Sequence, residues 1–254
     1  MSREVRTVKT LTTYYEIEAL CEGMIADFFR CKQYTGMLCV DIEAFVREYL
    51  GLRIVYESLA EPDPGRVGFF SDGVRPLRVR RGERKEQVVF PARTVVIDRY
   101  LLTPGESARK RFTIAHEGAH DILERHVPLQ TSPAAAFHSA YDPDMTYTRD
   151  MLRGMLSVNE SYTNRAAACL LMPAFLVEQV LERHNGSRKV IIYDGGVLAQ
   201  DQKLLIQKMA DTMGVSYTAF SVRLSELDLY ESRPLEEYLY GGLRYGGERH
   251  AKDH

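Results

Sequence analysis

Near the middle of the chain lies the run Arg111-Phe-Thr-Ile-Ala-His-Glu-Gly-Ala-His-Asp-Ile-Leu123, which contains His-Glu-x-x-His as His116, Glu117 and His120. On an α-helix, residues four apart share one face, a turn apart. Two imidazoles at that spacing can share one zinc ion. Glu117 sits about 100° round the helix from His116, near the open side of such an ion, where a carboxylate can hold a water. A hydrolytic zinc site takes three protein ligands and leaves one position open. Glu160 is the best candidate for the third. It falls among Met155, Leu156, Val158, Ala166, Ala167, Leu170 and Leu171, and an unpaired carboxylate on an apolar face is costly to bury. Asn164 is one turn further on, facing the same way, where its amide oxygen can accept from the non-ligating N–H of a zinc-bound histidine. The residues alone also fit a plainer reading: two buried histidines on a core helix, and a Glu160 turned to solvent near a helix start.

The elements that must position these groups follow from pattern. The central helix should open at Thr103-Pro104, with Thr103 as cap and Pro104 in the first turn, and run to about Arg125. Gly118 inside it costs about 1 kcal/mol relative to alanine, so another element is expected to approach the helix closely there. Upstream, Tyr14 to Phe29 is apolar at helical spacing, and a second helix starts at the cap residue Asp41 and ends at Gly51. Short β-rich runs follow: 53–56, 67–70, 77–80, 87–90 and Thr94 to Asp98. They predict a small, mainly antiparallel sheet, whose arginines Arg75, Arg78, Arg80, Arg81 and Arg84 read as the solvated side of a half-exposed surface. Val127 to Thr148 is a long, proline-interrupted excursion of the kind that forms lids. A long apolar helix from about Met151 to Met172 follows, closed by Pro173, then a helix over 175–183, a strand candidate over 189–193, and a helix, turn and capped helix within 202–229. After Glu231 periodicity fades, and a flexible tail is expected.

With 254 residues, 45% of them hydrophobic, the chain can bury a real core. A net charge of −2 favours neither nucleic acid nor an anionic membrane. No run is long and apolar enough to span a bilayer, and the N-terminus lacks an apolar signal region. Cys21, Cys31, Cys39 and Cys169 have no Cys-x-x-Cys spacing and read as reduced thiols of a soluble cytoplasmic protein.

Arg111-Phe-Thr-Ile-Ala-His-Glu-Gly-Ala-His, together with Glu160-x-x-x-Asn164-x-x-Ala167-x-x-Leu170-Leu-Met-Pro173, resembles the ImmA/IrrE family of metallo-endopeptidases. The resemblance reaches upstream to Val40–Ile54 and downstream to Met213-Gly-Val-Ser216 and Arg223-Leu-x-x-Leu227, about residues 37 to 229 in all. It departs from the family at Gly118, where a bulky apolar residue is usual, and in the length of the excursion before Glu160. The resemblance implies an α+β fold: a small sheet on a zincin-like helical core, followed by a helix-turn-helix-like element. The boundaries would be an N-terminal helix in 1–36, a metallopeptidase domain in 37–186, the helix-turn-helix-like element in 187–231 and a tail in 232–254. It implies a gluzincin-like site with one zinc ion on His116, His120 and Glu160, Glu117 as general base and Asn164 behind the ligands. It implies a peptide substrate added along an edge strand, Thr94 to Asp98. The substrate implied is a helix-turn-helix repressor whose cleavage releases stress-response or mobile-element genes.

Two other functions fit the residues. One is a DNA-binding regulator working through 202–229 with a structural zinc. Its charges oppose that: Lys203, Lys208 and Arg223 stand against Asp201, Asp211, Glu226 and Asp228, a poor surface for phosphates. The other is an inactive relative that binds a repressor without cutting it. For a second donor to a tetrahedral oxyanion, Tyr141, Tyr147, Tyr162, His138 and His126 are near in sequence, and nothing ranks them.

Overall fold

The structure is a computed structural model that describes residues 14–61, 63, 65–126 and 149–239, with 149–159 described by backbone alone. The chain divides into two compact units, Met1–Pro173 and Ala174–His254. The first unit contains α1 (Tyr14–Lys32), α2 (Ile42–Ala44) continued by a π turn (Phe45–Tyr49), β1 (Arg53–Glu57), β2 (Gly68–Ser71), β3 (Leu77–Arg81), β4 (Arg84–Val88), β5 (Thr94–Asp98), a 3-10 turn (Arg99–Leu102), α3 (Ser107–His126) and α4 (Arg149–Leu171). The second contains α5 (Ala174–Asn185), β6 (Val190–Tyr193), α6 (Gln200–Met213), α7 (Tyr217–Glu226) and β7 (Tyr230–Arg233). The expected α+β class holds.

In the first unit the sheet order is β1-β5-β2. β1 runs parallel to β5, and β2 runs antiparallel to it. The sheet is therefore mixed, and Thr94–Asp98 is its central strand. This corrects the expectation of an edge there. The run Thr-Val-Val-Ile is apolar on both faces and buried along nearly its whole length, as a strand flanked on both sides must be. The edge that lies against the central helix is β2.

β3 and β4 form a separate antiparallel hairpin over one face of this sheet. Leu77 and Val79 of the hairpin pack with Phe69 of β2, Val96 of β5 and Phe90. Successive side chains alternate across a strand, so with Phe69 facing the hairpin, Gly68 and Phe70 face the other way, toward α3. α3 packs on β2 and β5, and both α3 and α1 pack on α4. α1 contributes Ile17, Cys21, Ile25 and Phe28 to the core at helical spacing.

Local chemistry explains most element ends. Asp41 caps α2 by accepting from the Ala44 N–H at 3.0 Å. The central helix starts later than its sequence suggests. The Thr103 hydroxyl donates to Tyr100 O at 2.7 Å, closing the 3-10 turn. Gly105 then takes a φ of 92°, outside the helical range, so α3 begins only at Ser107. Arg93 ties three elements together. Its guanidinium donates to the Leu50 carbonyl at 2.7 Å and to Asp121 on α3 at 2.9 Å.

In the second unit, α6 ends on Gly214 at a φ of 65°, and Ser216 caps α7 by accepting from the Ala219 N–H at 3.2 Å. The helix-turn-helix outline is present. β7 lies where the tail was expected to begin and pairs in parallel with β6, Val190 opposite Tyr230. Its sequence, Tyr-Glu-Ser-Arg, alternates too weakly to announce a strand. The 127–148 excursion and residues 240–254 lie outside the described residues.

Gly118 shows why the central helix tolerates a glycine. A Cβ there would stand 3.0 Å from Val46 Cγ2 and 3.5 Å from Leu50 Cδ1. At 100° per residue, Gly118 is about 180° round α3 from the midpoint of the two histidines. The π turn therefore presses on the back of the helix. Gly118→Leu should destabilise the fold by at least about 1 kcal/mol, because overpacking outweighs the gain in helix propensity. Thermal unfolding should show a lower midpoint, partly restored by adding Val46→Ala.

Candidate metal centre

α3 presents His116 and His120 toward α4 with ring centroids 5.0 Å apart and planes nearly perpendicular. Glu160 projects from α4, its Oε2 3.3 Å from His116 Nε2. One donor atom from each of His116, His120 and Glu160 falls within 4.8 Å of the others, so the three can hold a metal ion. Two neutral nitrogens and a carboxylate suit a divalent cation and leave coordination room for water or substrate. On the far side of His116, Nδ1 lies 3.0 Å from Asn164 Oδ1. An amide oxygen can only accept, so Nδ1 carries the proton and the Nε2 lone pair is turned toward the ion position.

Glu117 lies on the flank of α3 and is buried, 7% exposed. Burial pushes its carboxyl up to about 7, and the Glu160 carboxylate adds to this. His116, Arg66 and a hydrogen bond donated by the Phe70 backbone N–H pull the other way. For His116, burial disfavours the imidazolium. The carboxylates of Glu160 and Glu117, with Asn164, outweigh it and hold the ring above its usual value.

The element that buries Glu117 is β2. A Cβ on Gly68 would come within 2.5 Å of both Glu117 Oε1 and Thr113 Cγ2, so any larger residue there would push these side chains or the strand aside. The carbonyls of Val67 and Ser71 bond toward β5, accepting from Asp98 and Arg93. By alternation, the backbone groups of Gly68 and Phe70 face the free edge, which is where the Phe70 N–H meets Glu117. Sequence reasoning missed Gly68 and β2 as part of the site. The available signal was a glycine inside a strand-like run, which marks close approach of a backbone or ligand.

Of the five residues weighed as oxyanion donors, His138, Tyr141 and Tyr147 lie outside the described residues. His126 ends α3, and Tyr162 packs edge-on against Tyr14, ring centroids 5.5 Å apart. In the second unit, Arg223, the arginine of the second helix of the helix-turn-helix outline, is 0% exposed and pairs with Glu226 at 3.3 Å. It is a core residue and presents no guanidinium to a phosphate.

The donor set is that of a metal site with room for a substrate ligand, held in a mixed α+β fold. A family model, the IrrE N-terminal-like domain of peptidase M78, matches residues 47–225. The chain belongs to that family. Among solved structures, a Mycobacterium tuberculosis transcriptional regulator is similar at 14% identity and a TM-score of 0.42. The match covers 83% of this chain and 46% of that one, so this chain spans less than half of that structure's length. No curated protein matches it. Among the described residues no helix is long and apolar enough to cross a membrane.

The buried carboxyl has a measurable cost. Unfolded, Glu117 titrates near 4.5, and in the metal-free fold near about 7. Between those values the folded chain keeps a proton that the unfolded chain has released. Stability is therefore lost as pH rises through this window and stays lower above it. At about 1.4 kcal/mol per unit, the loss is on the order of 3 kcal/mol. Metal-free Glu117→Gln should match wild type in denaturant stability near pH 4.5 and exceed it increasingly up to pH 7–8. A constant difference across that range would contradict the burial argument.

Proposed function

We propose that this chain is a cytoplasmic, zinc-dependent endopeptidase that cuts a protein substrate, a helix-turn-helix repressor. The observation that supports it best is the joint placement of His116, His120 and Glu160 within reach of one ion and of the buried carboxyl of Glu117 beside a strand edge left unpaired by any strand among the described residues. His116, His120 and Glu160 would hold the zinc, with Asn164 fixing the tautomer of His116. When bound, zinc supplies a Lewis acid that lowers the pKa of water and polarises a carbonyl.

The chain's own groups do the rest. Glu117 takes the proton of the attacking water and passes it to the leaving amine. The edge of β2 that no strand pairs among the described residues, through the backbone of Gly68 and the Phe70 carbonyl, receives an extended peptide by strand addition, while the Phe70 N–H stays with Glu117. This replaces Thr94–Asp98 as the docking strand, because β5 is paired on both sides. Gly68 keeps the strand close enough that the same edge orients both the peptide and Glu117.

Co-expression with the regulator encoded nearby tests the reading. Wild type should yield regulator fragments. Glu117→Gln should lower the cleavage rate by at least about 100-fold with full zinc content. Glu160→Ala should lose zinc, and Asn164→Ala should weaken zinc binding by about 10- to 100-fold. Identical fragments from wild type and Glu117→Gln would refute the catalytic role. Unchanged zinc content in Glu160→Ala would refute the third ligand.

A further inference from the structure

The arginine-rich hairpin takes no part in the metal centre. Leu77 and Val79 are buried in the core beneath it, which turns Arg78 and Arg80 to the opposite face. The register sets Gln87 across from Arg78 and Lys85 across from Arg80, so these face outward too, and all four are exposed. Among the described residues, the side chains of Arg78, Arg80 and Lys85 make no ion pair or hydrogen bond. The nearby acids are engaged elsewhere. Glu57 and Glu86 pair with Arg81, and Glu61 accepts from the Arg78 backbone N–H at 2.8 Å. Like charges directly opposite on paired strands, as Arg80 and Lys85 are, destabilise a hairpin. The fold itself has no use for this arrangement.

We propose that this face docks an acidic, extended segment of a protein partner. Arg78 and Arg80 are two residues apart on one strand, ~6.7 Å, the repeat of alternate side chains in an extended peptide. Carboxylates at every second position of a partner strand would meet them in step, and guanidinium groups donate to carboxylates in bidentate fashion. Duplex DNA fits less well. A duplex binds through many neutralised phosphates, and this face supplies three cations, Arg78, Arg80 and Lys85. The face also has no aromatic ring on which a single-stranded base could stack. The hairpin covers the face of the sheet opposite α3, so a segment docked there leaves the edge of β2 clear. That the partner is the protein being cut rests on the function proposed above. The docking itself does not.

The test uses the full chain in a Glu117→Gln background, so that the probe survives whether or not the chain is a peptidase. A fluorescein-labelled decapeptide of alternating glutamate and threonine is titrated by fluorescence anisotropy. Binding should be present at low salt and weaken as salt rises. The triple variant Arg78→Glu, Arg80→Glu, Lys85→Glu should bind at least tenfold more weakly with an unchanged melting temperature. Absence of peptide binding, equal binding by parent and variant, or tighter binding of a 20-base-pair duplex through the same three residues would each overturn the proposal.

Discussion

The close approach of two elements to the central helix is the constraint on which the rest of the structure depends. The π turn presses Val46 onto Gly118 at the back of α3, and β2 lies along its flank where Gly68 leaves room for Glu117 and Thr113. α4 closes the front with Glu160 and Asn164. Each contact removes a freedom. The back contact sets how deeply the helix sits, the flank contact removes Glu117 from water, and the front contact brings the third donor to the two imidazoles. Packing at interior density leaves little room for adjustment, so a side chain at Gly118 or Gly68 would have to displace its neighbours.

The same closeness sets the electrostatics. A carboxylate removed from water would ordinarily be costly. Here, in the metal-free fold, the cost is reduced by a backbone N–H from the neighbouring strand, by Arg66 and by His116 when its ring is protonated, but it is not cancelled. The result is a carboxyl that gives up its proton far less readily than an exposed glutamate, placed beside the donors of a metal site. Destabilisation at the site is the usual companion of such tuning.

Much of the site was legible because its information is local. The spacing of His116 and His120, and of Glu160 and Asn164, places each pair on one helical face whatever surrounds them. What failed was non-local or depended on one backbone angle. Thr103-Pro104 reads as a helix start, yet the left-handed turn at Gly105 delays it. Thr94–Asp98 reads equally well as an edge or a centre, and only the return of β1 on its other side decides. β7 is a strand because β6 offers it an edge, through a register no propensity encodes. Gly68 was visible as a letter and silent as a contact, since what it makes room for lies 49 positions away in the sequence at Glu117.

Arg93 bears on how the site is held. By joining Asp121 to the Leu50 carbonyl, it acts as a rotational stop on α3, applied about 120° from the direction in which the histidines point. The facing of the two imidazoles is thereby fixed by a contact on another side of the helix. The ring of Phe112 lies 6.2 Å from that of His116, one turn back on the same face of α3.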